Sequence, residues 1–275
     1  MSAGSVRYTD PMHGSQMGSS AGVAVARPGR LSVFAEKYWR PVAEVAFIVP
    51  AYVAYQFVRG AVQGQAGTAF NNATRLIHIE ERLDIFHEAF LQQLILPKAW
   101  LVDFFNYLYI WGHLPVIVAV AVWLYMRHRD RYALFRNAFL ISGLIALIGF
   151  STVPLAPPRY MPEFGFTDTI IHAQSYYALQ NPKIVNQYAV MPSLHFGWDL
   201  LVAIAIGSNV QSRWVRLAVF FMPIVMLGGV VLTANHYFLD AAAGALVAMI
   251  GLAIACGLRR LVASNGGGRI LNFIA

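Results

Sequence analysis

Residues 235–258 read NHYFLDAAAGALVAMIGLAIACGL. Beyond Asp240 the stretch carries no charged residue, and since about 20 mostly apolar residues are what a helix needs to cross a bilayer, 238–258 reads as a membrane span. A histidine and a carboxylate stand at its mouth, His236 and Asp240. Ionisable groups are expensive to strip of water in such a place, so they are read first as functional. Five other segments have the same character: 42–60, 101–125, 133–153, 190–208 and 214–234. The predicted fold class is therefore all-α, a polytopic membrane protein with a six-transmembrane-helix bundle. Pro50, Pro115 and Pro223 fall inside predicted spans, where kinks are tolerated.

The composition agrees. Of 275 residues 58% are hydrophobic and only 12% charged, against about 25% charged in soluble domains. Mean hydropathy is +0.55. The net charge of +7 is concentrated between spans and reads as topology. Arg27, Arg30, Lys37 and Arg40 precede the first span; Arg127, Arg129, Arg131 and Arg136 separate the second from the third. Arg213 and Arg216 separate the fourth from the fifth, and Arg259 and Arg260 follow the sixth. With alternating spans all these lie on one side, which the positive-inside rule makes cytoplasmic. Both termini are then cytoplasmic, and His195, His236 and Asp240 lie near the outer face of the cell membrane. No basic, aromatic-interleaved stretch supports nucleic-acid binding. The single cysteine, Cys256, excludes an intrachain disulfide.

Three regions follow: a disordered cytoplasmic tail over 1–40 without a cleavable signal peptide, a six-span catalytic domain over 41–262, and a flexible tail over 263–275. Within 61–100, Phe70, Ala73, Leu76, Ile77, Leu83, Phe86, Phe90 and Leu94 recur at helical spacing, with Arg75, Glu80, Glu81, Arg82, Asp84 and Glu88 between them. The pattern predicts an amphipathic extracytoplasmic helix or helix pair, lying on the outer leaflet or packed over the mouth of the bundle.

The chemistry-bearing residues lie at the ends of spans. His236 and Asp240 are four apart, which puts them on one face if the backbone is helical. The carboxylate can then hold one imidazole nitrogen and leave the other as a nucleophile, with His195 from another span as the acid. Two span ends that merely hydrogen-bond each other would have the same spacing. Asp199 bears the same relation to His195: it either orients that histidine or bonds to another span. Tyr109 and His113 read first as helix-contact residues and second as pocket lining.

Met191-Pro192-Ser193-Leu194-His195-Phe196-Gly197-Trp198 resembles the Pro-Ser-x-His motif of the type 2 phosphatidic acid phosphatase superfamily. Asn235-His236-Tyr237-Phe238-Leu239-Asp240 is similar to that superfamily's His-x-x-x-Asp motif. Leu194, the His-Tyr-Phe run, Ala156-Pro157-Pro158 and the 72–88 stretch resemble the branch containing inositol phosphorylceramide synthases. The resemblance covers roughly 42–260. It implies a phosphohistidine on His236, His195 as acid, Asp240 as orienting carboxylate, and no metal or other cofactor. The usual lysine-to-Arg-Pro motif is absent, however. Val230 stands where an arginine usually precedes the nucleophile by six residues.

Phosphoryl transfer needs cationic or N–H donors around its outer oxygens. Arg159 is the first candidate, with Tyr160 beside it, and Lys183 the second; a snorkelling anchor is the other reading of Arg159. Ser193 either donates to the phosphate or caps its helix, and Asn235 and Asp199 complete the substrate-binding candidates. The expected protein is a lipid phosphatase or phosphotransferase acting on a lipid phosphate or phospholipid headgroup, with water or a lipid or polyol acceptor taking the phosphoryl group. Hydrolysis is placed slightly ahead of headgroup transfer. A proton-coupled transporter and a zinc site on His195, His236 and Asp240 are the readings of other classes.

Overall fold

The computed structural model describes residues 30–61, 66–170 and 186–264. Its described secondary structure is entirely helical. The chain divides into two compact units at Pro50, Met1–Val49 and Pro50–Ala275; the first contributes the start of α1 (Arg30–Ala61), and the second holds everything discussed below.

Seven helices lie between 66 and 232: α2 (Ala66–Arg82), α3 (Glu88–Ile95), α4 (Ala99–Trp111), α5 (Leu114–Arg127), α6 (Arg129–Thr152), α7 (Leu194–Asn209) and α8 (Arg213–Leu232). Last comes α9 (Phe238–Ser264). Helix α9 is the hub, packing along α6 and α7 and touching α2, while α8 packs on α7, α4 and α3. Four helices are long and apolar enough to cross a membrane: the Pro41–Gly60 part of α1, then α6, α8 and α9. The α4–α5 pair makes a fifth if its 48° bend is counted within one span. Their outward faces carry Val122, Leu144, Ile148, Phe220 and Leu246, the surface a lipid-facing bundle presents. The chain is a multi-pass membrane protein.

Two expected spans differ from their reading. The segment 101–125 breaks after Trp111, and Pro115 sits in the first turn of α5, where its missing N–H costs nothing. The segment 190–208 is helical only from Leu194, because Pro192 cannot donate to a preceding turn. Helix α7 has 16 residues, and at about 1.5 Å each it is shorter than the hydrocarbon core.

The amphipathic segment is a helix pair, α2 and α3. Its apolar face packs on protein: Ala69, Ala73, Leu76 and Ile77 join Leu155, Met161, Phe166 and Tyr237 in one core cluster. Asn72 Nδ2 fastens α2 by donating to the Pro154 carbonyl at 2.8 Å. The pattern fails on both sides: Leu83, Phe90 and Leu94, from its apolar set, are exposed, and two of its charged positions are buried. Glu80 and Glu88, assigned to the polar face, are wholly buried, because each carboxyl reaches a backbone amide at the start of α9.

Glycines set the spacing of the two motif-bearing helices. A Cβ on Gly244 of α9 would collide with the Ser193 carbonyl, and one on Gly197 of α7 with the Gly244 carbonyl. Small residues here let the backbones close together. The N–H of Ser193 consequently donates to the carbonyl of Asp240 at 3.1 Å, a backbone bond joining one motif to the other.

Candidate active site

The loop between α8 and α9 is wound tightly. The Ala234 N–H closes on the Val231 carbonyl, and the N–H groups of Asn235 and His236 both donate to the carbonyl of Val230, at 3.0 and 3.1 Å. Ala234 takes φ +52, a left-handed conformation that costs a residue with a Cβ about 1–2 kcal/mol. The turn reverses the chain directly ahead of His236.

His236 Nδ1 lies 3.1 and 3.3 Å from the two carboxylate oxygens of Asp240. Asp240 Oδ2 also accepts the Tyr237 N–H at 3.1 Å. The carboxylate is fully buried and is held from two directions. Nδ1 is thereby committed, and Nε2 is the nitrogen left for chemistry. The Tyr237 hydroxyl donates to the Ala156 carbonyl at 3.1 Å. Burial, then the carboxylates of Asp240, Glu80, Glu88 and Glu163, push it well above its ordinary titration range, so it stays a donor.

His195 stands in the first turn of α7. Its ring is stacked on Tyr109 (centroids 4.5 Å apart) and lies 4.4 Å from His113 and 5.7 Å from His236. The two motif histidines border one cavity of about 290 Å³, together with Arg159, Asn235, Tyr109 and His113.

Arg159 sits in the short turn Pro158–Tyr160 and is tied to the His236 loop twice. Its backbone N–H donates to the Ala234 carbonyl at 2.8 Å, and its guanidinium donates to Asn235 Oδ1. The guanidinium also reaches Gln187 Oε1 at 3.3 Å, which accepts from the Tyr160 hydroxyl at 3.2 Å. The Tyr160 ring lies under the guanidinium carbon at 4.9 Å.

Ser193 and Asp199 stand outside the cavity lining. Ser193 is fully buried, and its hydroxyl neither caps α7 nor has another hydrogen-bond partner among the described residues. Asp199 is buried one turn deeper, and its Oδ2 is unpartnered among the described residues. Lys183 lies outside the described residues. Sequence reasoning passed over Arg59, Gln56, Asn186 and Gln187, all of which line the cavity. Arg59 alone had a signal: it is a cation at the end of the first span, opposite the side where Lys and Arg collect.

Residues 74–254, well over half of the chain, match the PAP2 superfamily. The chain belongs to the PAP2 superfamily. It is in the branch that resembles inositol phosphorylceramide synthases: over 157 residues it is 26% identical to the phosphoinositol dihydroceramide synthase of Bacteroides thetaiotaomicron. That match covers 51% of this chain and 50% of the relative, so the chain spans about half the length of the curated protein it resembles. No solved structure matches it. Val230, six residues ahead of His236, is wholly buried and offers the loop only its carbonyl. Among the described residues Arg159, beside His236, and Arg59, on the last turn of α1, bring guanidinium groups to the cavity.

Proposed function

We propose that this PAP2 protein is a lipid-headgroup phosphotransferase that works through a phosphohistidine on His236. The observation that carries the reading is the hydrogen bond from His236 to the buried Asp240 carboxylate, on the wall of a cavity shared with His195 and Arg159. In the first step Nε2 of His236 attacks phosphorus, the bond to the lipid oxygen breaks, and His195 gives that oxygen a proton. Asp240 stabilises the imidazolium character that develops on His236. Arg159 and Arg59 face the charge on the outer phosphate oxygens. In the second step an acceptor hydroxyl attacks, His195 takes its proton, and the N–P bond breaks.

Transfer is placed ahead of hydrolysis, reversing the order drawn from sequence. The relative's name is that of a synthase, and the amides of Gln56, Asn186, Gln187 and Asn235 around the cavity suit a hydroxyl-rich headgroup. The proposed topology counts α1, the α4–α5 pair, α6, α7, α8 and α9 as six spans. The termini are cytoplasmic, and the cavity opens to the extracytoplasmic face. The basic residues of the 127–136 and 213–216 segments support it, with the membrane domain over 41–262.

The test offers purified protein a panel of phospholipids and lipid phosphates, with and without lipid or polyol acceptors, in detergent where no gradient exists. Inorganic phosphate and new lipid products are measured together. A new phosphorylated product that depends on acceptor supports transfer, and phosphate release unaffected by acceptor supports hydrolysis. Absence of turnover across the panel overturns both and returns the transporter reading.

A further inference from the structure

Two carboxyl groups take no part in the reaction above, yet they touch the segment that performs it. Glu88 Oε1 accepts the backbone N–H of Phe238 at 2.9 Å, and Glu80 Oε1 accepts that of Leu239 at 2.7 Å. These are the first two amides of α9, two and three residues past His236 and just ahead of Asp240. The acceptors arrive from α3 and α2, 150 and 159 residues away in sequence. Both side chains are wholly buried, and burying a carboxyl is costly unless a specific bond compensates it. An ordinary helix N-cap is a local Ser, Thr, Asp or Asn. Here the start of the catalytic helix is capped by two other helices, and those helices form the lid of the apolar cluster around Tyr237.

We propose that Glu80 and Glu88 are positioning residues for the His236–Asp240 pair: together they clamp the first turn of α9 and hold the nucleophile loop in register with the cavity. The inference rests on the phosphohistidine reading of the site. The second oxygens, Glu80 Oε2 and Glu88 Oε2, have no hydrogen-bond partner among the described residues, so the bond each carboxyl makes is the one to the start of α9. Desolvation, then the neighbouring Glu88 carboxyl, raise Glu80 from 4.5 to about 9, against the opposing pull of the Leu239 N–H. The other titratable groups around the pair are Asp240 on α9, His236 and Tyr237 on the loop, and Glu163 on the 162–164 turn.

A protonated Glu80 adds no charge next to Asp240. Removing that proton places a buried carboxylate charge near the Asp240 carboxylate. The sign is fixed by the raised value: the unfolded chain gives up this proton near 4.5, the folded one near 9. The stabilisation is therefore complete below the lower value and lost as pH rises through the higher one.

The test compares pH profiles of kcat for wild type, Glu80→Gln and Glu80→Ala, with hydrogen exchange at the Phe238 and Leu239 amides measured on the same proteins. Glu80→Gln keeps an acceptor for Leu239 and removes the titrating proton. Its kcat at neutral pH stays close to wild type, while the alkaline limb moves up by about one unit or more. Glu80→Ala lowers kcat by about 10²-fold, the effect of a slight misplacement of reacting groups, with KM unchanged and faster exchange at both amides. An unmoved alkaline limb in Glu80→Gln, or a wild-type kcat in Glu80→Ala, overturns the inference. If Glu80→Ala does not fold, the Glu80→Gln profile decides alone. Trapping labelled phosphoenzyme separates the two levels. No label on His236 in wild type sinks the phosphohistidine reading and this inference with it; label in wild type with an unmoved profile sinks this inference alone.

Discussion

His236–Asp240 and His195–Asp199 are two histidine–aspartate pairs at the same four-residue spacing, and the fold treats them differently. In the first, imidazole and carboxylate are bonded at 3.1 Å. In the second no hydrogen bond joins the side chains, and Asp199 Oδ2 has no partner among the described residues. The backbone makes the difference. His236 precedes its helix, on a loop reversed at Ala234, so its ring can drop onto a carboxylate in the first turn of α9. His195 is already inside α7, and its ring is engaged sideways by Tyr109 and His113. Spacing sets which residues share a face; the point where the helix begins sets whether they meet.

On the proposed mechanism the contrast is between an oriented nucleophile and an acid held by ring contacts, and it can be broken by substitution. His236→Ala should lower turnover by at least about 10⁴-fold, as loss of a nucleophile does, and should abolish the acid-labile phosphoenzyme label. A labelled His236→Ala protein would dissolve the contrast. Asp240→Asn should lower kcat by about 10³-fold or more through the wrong tautomer, with the overall helix content by circular dichroism preserved. Arg159→Ala should lower kcat by about 10²-fold or more, the size of a lost charge-stabilising donor. Arg159→Lys should recover only part of it, because a single ammonium cannot serve the Asn235 and Gln187 bonds and the phosphate together.

Much of the site was legible because each motif is compact in sequence. His195, His236 and Asp240 were found from their place at span ends, and Arg159 from its position after the third span, and the structure brings all four to one region. What stayed hidden depends on contacts between distant segments. Arg59 and Gln187 reach the cavity from elements without any motif. Glu80 and Glu88 fall among the charged positions of the amphipathic pattern, and helical periodicity records which side of α2 or α3 a residue occupies, not that a helix N-terminus is waiting there. The fold was legible as all-α and membrane-embedded, since hydropathy summed over 20 residues is a strong signal. The same summation ran across the break at Gly112–His113 and hid the short helical part of 190–208.

The smallest expected effect separates the two pairs most cleanly. If Asp199 oriented His195 as Asp240 orients His236, Asp199→Asn would cripple turnover. The geometry says otherwise: the carboxyl is buried, is not bonded to His195, and lies off the cavity wall. An unpaired buried carboxyl is a cost to the fold, and an amide of the same shape lowers that cost. Asp199→Asn should therefore leave kcat near the wild-type value and leave Tm unchanged or raise it, as read by activity and thermal unfolding of one purified sample. A fall in kcat of the size expected for Asp240→Asn would mean that α7 rotates during turnover to bring Asp199 onto His195, and the two pairs would then be equivalent in the working enzyme.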